Sequence, residues 1–274
     1  IRTRAAPLGV EVVVGDARAL DAPKLRDACG VYVQYPDTFG AVADYGALAA
    51  SARAAGAKVV AGVDLMALAL YRPPSEWGAD IVVGSNNRFG LPAGNGGPHS
   101  GILATSPQYQ RSMPGRLIGV SKDAAGAPAL RMALQTREQH IKRERATSNI
   151  CTSTALVSAL SGFYGMYHGP QGLANIAGAI RCKAHLLGEA LRRLGVPVAA
   201  GETFDTVFCP LGDARRAAAL QRRCRERGIN VREIRDGVSV SLDETATLQD
   251  VQLLVDAIAE GRREPFTVAE LART

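Results

Sequence analysis

Residues 78–99 read GADIVVGSNNRFGLPAGNGGPH, and this stretch decides the fold. The apolar run Ile81-Val82-Val83 ends in Gly84-Ser85, polar residues follow, and then comes a turn rich in glycine and proline. A buried strand that opens onto such a loop is typical of a site. Glycines let a backbone approach a ligand or another chain closely, and they supply N–H groups with no side chain in the way. The glycines alone leave an ordinary surface turn equally open.

Similar apolar runs lie on both sides of this stretch. Together with residues 81–83 they predict strands at residues 10–14, 31–33, 59–63 and 101–104. The segments between the runs predict a helix over residues 43–55 that ends at Gly56 and a second helix from Leu65 to about Tyr71. Strands that alternate with short helices indicate βαβ units. The pattern therefore predicts an α/β fold with a parallel sheet.

The pattern becomes helical after about residue 150. Two apolar stripes recur at a spacing of three or four residues, and such stripes predict the buried face of a helix. The first stripe ends at Gly169-Pro170 and consists of Leu156, Leu160, Phe163 and Tyr167. The second stripe keeps the same period and consists of Leu173, Ile176, Ile180, Leu187, Leu191 and Leu194.

From residue 196 onward the sequence predicts a small α/β unit. Residues 206–209 form an apolar strand, and Asp213 has the position of a helix N-cap. Alternating residues surround Asp236-Gly237, which predicts a two-residue hairpin turn. The spacing of Thr247 and Asp250 is that of a capping box at the start of a last helix.

These patterns divide the chain into three regions. At 274 residues the chain can bury one large core, or one core and a smaller satellite domain. We predict a partial large α/β domain over residues 1–150, connecting long helices over residues 151–195 and a small C-terminal α/β domain over residues 196–274.

Composition argues against several classes of function. No apolar run approaches the ~18 residues that a membrane span requires. The net charge of +6 is spread along the chain and aromatic residues are only 5%, so we expect no nucleic-acid partner. The cysteines lack Cys-x-x-Cys spacing and are expected to be reduced thiols. His99 and His140 have no further ligand at metal-binding spacing, so we expect no metal site.

Several short motifs, in the order in which they occur, resemble a known family. They are VQYPDT (33–38), RPP (72–74), RFG (88–90), GGPH (96–99), MPGR (113–116), QTREQHI (135–141), TSNIC (147–151), YHGP (167–170) and SLDET (241–245). The family is glycine dehydrogenase (decarboxylating), the P-protein of the glycine cleavage system. The resemblance extends from about Pro7 almost to the C-terminus, and a match of that length and density is highly specific.

The resemblance implies the fold of the fold-type I pyridoxal-phosphate (PLP) transferases, which is similar to that of the aminotransferases. This chain would supply part of the large α/β domain with its parallel-type sheet, and the small C-terminal α/β domain. It resembles the N-terminal half of the family's long chain, or the first of two subunits. The resemblance also implies a truncated N-terminus, with about 180 further residues, the size of one more domain, expected before Ile1.

Arg88 is the residue that indicates which half of the family protein this chain resembles. A PLP enzyme requires a lysine that forms a Schiff base with the cofactor, and an acid that keeps the pyridine nitrogen protonated. Alignment with the catalytic half of the family puts Arg88 at the lysine position and Val60 at the position of the acid, with Asp64 about one helical turn away. Arginine stays protonated and cannot form the aldimine. We therefore expect the non-aldimine half, with no catalytic residue of its own and with PLP bound mainly by the other half.

The stretch from Arg111 to Thr152 is rich in family motifs and in basic residues although the lysine is absent. We therefore predict that this half packs against the catalytic half and shapes its cleft. Arginine pairs with carboxylate or phosphate in a bidentate fashion, which suits such contacts. The candidates for cleft or interface contacts are Arg88, His99, Arg131, Arg137 and His140. The competing interpretation is that these residues only form salt bridges or cover the surface.

The family reaction decarboxylates glycine on PLP and transfers the aminomethyl group to the lipoyl arm of the H-protein. The implied partners are therefore glycine, the catalytic half or subunit and the H-protein, in a dimer or heterotetramer without membrane contact. The expected location is the bacterial cytoplasm, or the mitochondrial matrix in a eukaryote. Two interpretations stay open beside this one. One is a stand-alone PLP enzyme of aminotransferase or aldolase type with an unexpected lysine, and the other is a non-catalytic module for assembly or carrier docking.

Overall fold

The structure is a computed structural model that describes residues 1–20, 22–92, 94–146, 154–259 and 266–273, apart from the side chains of residues 22 and 137. In chain order its elements are α1 (Arg2–Ala5), α2 (Ala22–Leu25), β1 (Gly30–Tyr35), α3 (Gly46–Ala54), β2 (Lys58–Asp64), α4 (Pro74–Trp77), β3 (Ile81–Ser85), β4 (Gly101–Thr105), β5 (Leu117–Lys122), β6 (Pro128–Ala133), α5 (Gln139–Lys142), α6 (Ala155–Arg193), β7 (Thr206–Pro210), α7 (Ala214–Glu226), β8 (Arg232–Ile234), β9 (Gly237–Ser241), α8 (Leu248–Ile258) and α9 (Val268–Leu271).

The first four strands form one sheet in the order β1-β2-β3-β4. β1, β2 and β3 run parallel, with Val31 opposite Val59 and Val60 opposite Ile81. β4 pairs with β3 in the antiparallel direction. The prediction of a parallel sheet is thus confirmed for three strands, and the fourth is an antiparallel edge strand. β-Branched side chains suit these strands because one face packs on a core that includes Trp77.

The strand predicted at residues 10–14 is wrong. This segment has no regular structure, and Val13 is 80% exposed. A strand is stable only when a neighbouring strand pairs with its backbone, and the sheet of the described residues begins at β1. A β-branched run alone therefore does not make a strand.

The helix predicted over residues 43–55 is confirmed as α3, and Gly56 follows it with a φ of +82°. The helix predicted from Leu65 to about Tyr71 is reduced to a 3-10 turn at Ala67–Ala69. The carboxylate of Asp64 accepts a hydrogen bond from the Met66 N–H at 2.8 Å. This bond favours a tight turn directly after β2.

The long helix α6 bends at Gly169, whose φ of +61° and ψ of −179° are not helical. Pro170 follows inside the helix and removes one backbone donor. The predicted break at Gly169-Pro170 is therefore confirmed as a kink. After the kink, most of the second apolar stripe is buried as predicted, with Ile180, Leu187 and Leu191 at 0% exposure, and Leu173 and Ile176 are partly buried.

The first apolar stripe is not buried, and the prediction that it belongs to the core is wrong. Phe163 is 63% exposed and Tyr167 is 86% exposed, and Leu156 and Leu160 are exposed as well. Helical spacing of apolar residues shows that the helix has an apolar face, but it does not show what covers that face.

The C-terminal unit consists of the sheet β7-β9-β8 with α7, α8 and α9, and its core includes the second half of α6. The Asp213 cap of α7 and the capping box of Thr247 and Asp250 on α8 are present as predicted. Because α6 contributes to this core, the predicted division at residues 150 and 195 stays a prediction.

The hairpin turn between β8 and β9 lies one residue earlier than predicted. Its loop residues are Arg235, with a φ of +54°, and Asp236, whereas Gly237 already pairs with Ile234. A side chain at Gly237 would collide with the Cys209 carbonyl oxygen and the Phe208 ring. The glycine is therefore explained by close strand packing and not by the turn.

Candidate functional site

The carboxyl ends of β1, β2 and β3 meet at one end of the sheet. Open α/β sheets bind their ligands at this end, in the crevice beyond the strands. Asp64 is the last residue of β2 and Ser85 is the last residue of β3. Arg88 follows Ser85 by three residues and lies over the same end of the sheet.

Arg88 forms ion pairs with two carboxylates. Its Nε donates to Asp64 Oδ2 at 3.0 Å, and its Nη2 lies 2.9 Å from the same oxygen. Nη2 also forms a very short contact with Asp205 Oδ2, and Nη1 donates to the Leu242 carbonyl oxygen at 3.2 Å. The guanidinium therefore joins the end of the sheet to two segments that flank the strands β7 and β9.

Burial and charge act in opposite directions in this cluster. Burial opposes the charge of Arg88, but the carboxylates of Asp64 and Asp205 outweigh it and raise the pKa of Arg88. Desolvation raises the pKa of Asp205, because its side chain is only 12% exposed, and Arg88 and the Thr206 hydroxyl oppose part of that shift. The cluster thus holds one permanent cation and two carboxylates.

Asn86 and Asn87 lie between the last residue of β3 and Arg88. Asn86 is 5% exposed, and its side-chain oxygen has no hydrogen-bond partner among the described residues. Its backbone carbonyl accepts from the Ser161 hydroxyl at 3.3 Å, which ties this loop to α6. The side chain of Asn87 contacts the ring of His99 closely. The structure thus brings His99 next to the Arg88 loop, with its ring exposed.

The five lysines all lie within the described residues. Lys58 is the first residue of β2, so it lies at the opposite end of that strand, above the Tyr109 ring. Lys24 donates to the Ala19 carbonyl, and Lys122 and Lys142 are exposed on β5 and α5. Lys183 donates to the backbone carbonyls of Asp243 and Ala246. The loop that Lys183 binds begins directly after Leu242, the residue whose carbonyl accepts from Arg88.

Two basic side chains hold the SLDET motif loop from different sides. Arg88 binds the carbonyl of Leu242, and Lys183 binds the carbonyls of Asp243, Glu244 and Ala246. The Asp243 carboxylate folds back onto the Thr245 N–H and hydroxyl. These hydrogen bonds outweigh desolvation and lower the pKa of Asp243. The motif is therefore a hydrogen-bonded loop at the border of the C-terminal unit.

Arg131 lies on a two-stranded hairpin, β5 and β6, that exposes one apolar face. On that face Val120 is 81% exposed, and its cross-strand partner Leu130 is 75% exposed. Ile118 lies next to them and is exposed as well. A groove of about 490 Å³ lies beside the hairpin, and both Arg131 and Val120 line it. A two-stranded hairpin is marginally stable by itself, so this apolar face is well suited to contact with another surface.

The remaining two candidates follow the hairpin. His140 is exposed in the short helix α5. Arg137 ends a 3-10 turn at Gln135–Arg137, and its side chain lies outside the described part of the structure. The TSNIC motif at residues 147–151 also lies outside it. The candidates thus fall into two groups, Arg88 with His99 at the sheet and Arg131, Arg137 and His140 in the hairpin region.

Sequence reasoning misses Asp205 as the second partner of Arg88. The available signal is an acidic residue directly before the apolar strand β7, but its distance of 117 residues from Arg88 hides the pairing. It also misses Glu138, which is 3% exposed with Arg116 Nε 3.8 Å from its Oε2.

Two negative findings apply to the described residues alone. They contain no group of three or more His, Cys, Asp or Glu side chains placed to bind a metal ion. None of their helices combines the length and the apolar character that a membrane span requires.

Comparisons with known proteins agree with the resemblance of the motifs. The family model "Glycine cleavage system P-protein" matches residues 1–258. The chain is 48% identical to a glycine dehydrogenase (decarboxylating) of Bordetella avium over 95% of its length, and 47% identical to a mitochondrial one of Flaveria anomala over 99%. It spans 27% and 26% of these relatives, about a quarter of their length.

Solved structures extend the comparison to the fold. An inhibitor-bound glycine decarboxylase (P-protein) of the glycine cleavage system matches with a TM-score of 0.79 and 33% identity, over 86% of this chain and 55% of that chain. A cysteine desulfurase of Thermococcus onnurineus matches with a TM-score of 0.59 and 18% identity over 94% of this chain and 68% of that chain, which shows the fold alone. The fold predicted from the sequence, that of the fold-type I PLP enzymes, is confirmed. The chain belongs to the glycine cleavage system P-protein family.

Proposed function

We propose that this chain is the N-terminal, non-aldimine half or first subunit of a PLP-dependent glycine decarboxylase. The complete enzyme decarboxylates glycine and passes the aminomethyl group to the lipoyl arm of the H-protein. The relatives are named glycine dehydrogenase (decarboxylating), which supports this activity for the whole protein. The observation that carries the role of this half is the Arg88 cluster, in which an arginine paired with two carboxylates occupies the carboxyl end of the sheet.

The residues of this chain do not fit PLP. The position expected for the Schiff-base lysine holds Arg88, and the guanidinium is already engaged with Asp64, Asp205 and a backbone carbonyl. The acid expected to bind the pyridinium nitrogen is replaced by Val60 in the alignment. Asp64, the acid that follows Val60 in β2, pairs with the Arg88 guanidinium and so is not available to that nitrogen. PLP therefore binds mainly to the other half, and this half contributes no step through the cofactor.

The second part of the proposal is that this half packs against the catalytic half and shapes its cleft. The apolar face of the hairpin and the exposed stripe on the first half of α6 support it, because monomeric proteins seldom leave such side chains uncovered. Arg131 and His140 lie in the hairpin region and would provide polar contacts at the rim. The assembly would be a dimer or heterotetramer, in bacterial cytoplasm or in the mitochondrial matrix.

Borohydride trapping in the complete enzyme tests where the cofactor binds. Reduction in the presence of PLP, followed by peptide mapping, should find the modified lysine outside residues 1–274. Modification of one of the five lysines of this chain would overturn the proposal and would favour a stand-alone PLP enzyme.

Charge substitution on the hairpin tests the packing role. Val120→Asp places a carboxylate on the exposed apolar face, and Leu253→Asp is the matched control on α8, where Leu253 is 52% exposed. We expect V120D to lower assembly of the two halves and glycine turnover at least about tenfold, while L253D leaves both unchanged. Equal behaviour of the two variants would show that the hairpin face is not the interface.

A further inference from the structure

The C-terminal unit contacts the part of the chain that carries β1–β4 through the loop after β1, through Tyr71 and through Arg88. The Tyr71 hydroxyl donates to Glu202 Oε1 at 2.8 Å, and Arg232 Nη1 donates to the Thr38 hydroxyl at 2.9 Å.

Two of these attachments differ in kind. The first is a backbone joint, in which the loop after β1 meets residues 202–204: Val42 N–H donates to the Glu202 carbonyl at 2.9 Å and Phe204 N–H donates to the Gly40 carbonyl at 3.2 Å. The second is Arg88. The contacts around the joint are backbone hydrogen bonds, neutral side-chain contacts such as Phe39 against Phe208, and hydrogen bonds at the surface. The attachment at Arg88 differs from these because it is a largely buried cluster of charges.

Arg88 contacts the C-terminal unit at two residues that lie side by side at one end of its sheet. Asp205 directly precedes β7, and Leu242 directly follows β9. The Leu242 N–H donates to the Asp205 carbonyl at 2.9 Å, so the two points are already held together. Arg88 therefore binds one rigid end of the unit's sheet. Its ion pair with Asp64 connects that end to the last residue of β2.

Arginine is suited to this geometry because its planar guanidinium offers five donors in a fixed fork. Three separate acceptors on two units are served by three of its nitrogens: Nε, Nη1 and Nη2. The Phe204 ring lies 5.8 Å from the guanidinium carbon and covers one side of it. The cluster excludes most water, so the attraction is stronger than that of a surface pair.

We propose that Arg88 is an interdomain clamp that fixes the angle of the C-terminal unit about the backbone joint at residues 40–42 and 202–204. The residue at the lysine position of the catalytic half thus acts here as a positioning residue. Without the guanidinium, only the contacts around the joint restrain the angle of the unit, so we expect the unit to move more about it. Two carboxylates, those of Asp64 and Asp205, are then left facing each other without a cation.

Hydrogen exchange followed by mass spectrometry in the complete enzyme tests the clamp through Arg88→Met. We expect amides of residues 204–210 and 240–246 to exchange about tenfold faster than in the wild type, while β1 and β2 change less than about twofold. The matched control is Arg181→Met, which removes a more exposed ion pair with Glu202 near the joint and should leave both regions unchanged. Uniform acceleration across the whole chain, or no difference from R181M, would overturn the proposal.

A second variant separates lost charge pairing from lost packing. Asp205→Asn alone removes one ion pair and should accelerate exchange of the same two segments less than R88M does. In the double variant R88M/D205N the unpaired buried carboxylate is gone, so we expect part of the R88M acceleration to disappear. Additive or larger acceleration in the double variant would contradict an electrostatic clamp.

The pH dependence supplies a further readout. The groups that face Arg88 are Asp64 on β2, Asp205 and the Thr206 hydroxyl at β7, and Asp243 in the loop after β9. Burial already raises the pKa of Asp205, and loss of Arg88 raises it further. A raised carboxyl pKa favours the folded state at low pH and costs stability as the pH rises through it. The R88M defect should therefore shrink on acidification, and a defect that is constant or grows would count against the clamp.

Discussion

Residues 155–168 and 170–193 form the two halves of the long helix α6, and both place apolar side chains every three or four residues. After the kink at Gly169 these side chains are buried in the cores shared with the C-terminal unit and with Phe204. Before it, Phe163 and Tyr167 are exposed. The same spacing of apolar residues is therefore buried in one half of the helix and exposed in the other. It predicts an apolar helix face, but the surface that packs on this face has to be known before the face can be called core or interface.

Among substitutions in α6, we expect the largest loss of stability in its second half, residues 170–193. Leu187→Ala removes a side chain at 0% exposure and leaves a cavity in a packed core. We expect the free energy of opening of α6, measured by hydrogen exchange, to fall by about 2–5 kcal/mol. Leu253→Ala on the exposed side of α8 is the control and should cost less than about 0.5 kcal/mol. A loss below about 1 kcal/mol for L187A would mean that the core relaxes around the cavity.

The kink that separates the two halves gives the next largest effect. Gly169→Ala puts a side chain at a φ of +61° and a ψ near 180°, a region that only glycine adopts easily. We expect a loss of about 1–3 kcal/mol in the stability of α6. Gly162→Ala in the first half is the control, because no atom lies near its Cβ position and its backbone is helical; it should be neutral or stabilising by up to about 1 kcal/mol. Thermal unfolding of both variants decides this.

Each half also makes a polar contact with a distant loop, Ser161 with the Asn86 carbonyl in the first half and Lys183 with the SLDET loop in the second. Lys183→Met removes the ammonium that binds the carbonyls of residues 243–246. We expect a loss of about 1–2 kcal/mol, seen as faster exchange of the SLDET loop. Arg193→Met, which breaks an exposed pair with Glu189, should stay within about 0.5 kcal/mol. Equal exchange of the loop in K183M and the wild type would show that Arg88 and the Asp243 carboxylate hold it without Lys183.

The smallest effect on folding is expected in the first half. Phe163→Ser changes a side chain that is largely exposed, so the stability of this region should change by less than about 0.5 kcal/mol. If the exposed stripe packs on the catalytic half, as proposed, the same variant weakens assembly in analytical ultracentrifugation. Loss of stability without any change in assembly would show that Phe163 belongs to the core of the protein and not to an interface.

Local patterns predicted most of the secondary structure. The strands β1, β2 and β3, the helix α3, the kink at Gly169 and the caps Asp213 and Thr247 all depend on residues near one another in sequence. The strand predicted at residues 10–14 failed because strand formation depends on a neighbouring backbone and not on β-branched side chains alone. The helix predicted from Leu65 failed because the Asp64 carboxylate favours a tight turn there.

The candidate site was predicted less completely. The motifs led to Arg88, and arginine chemistry excluded a Schiff base there. Its partner Asp205 lies 117 residues away in the C-terminal unit, and no local pattern connects the two. The functional roles of Arg88, His99, Arg131, Arg137 and His140 stay predictions, although the structure separates them into two groups.

The sequence by itself determined the family and the α/β fold, because motifs and periodicity are properties of the chain. Only the tertiary structure decided that Arg88 joins Asp64 to Asp205, and that the first stripe of α6 is exposed while the second is buried. Both facts depend on contacts between residues that are far apart in sequence, because burial and ion pairing arise only where such residues pack together.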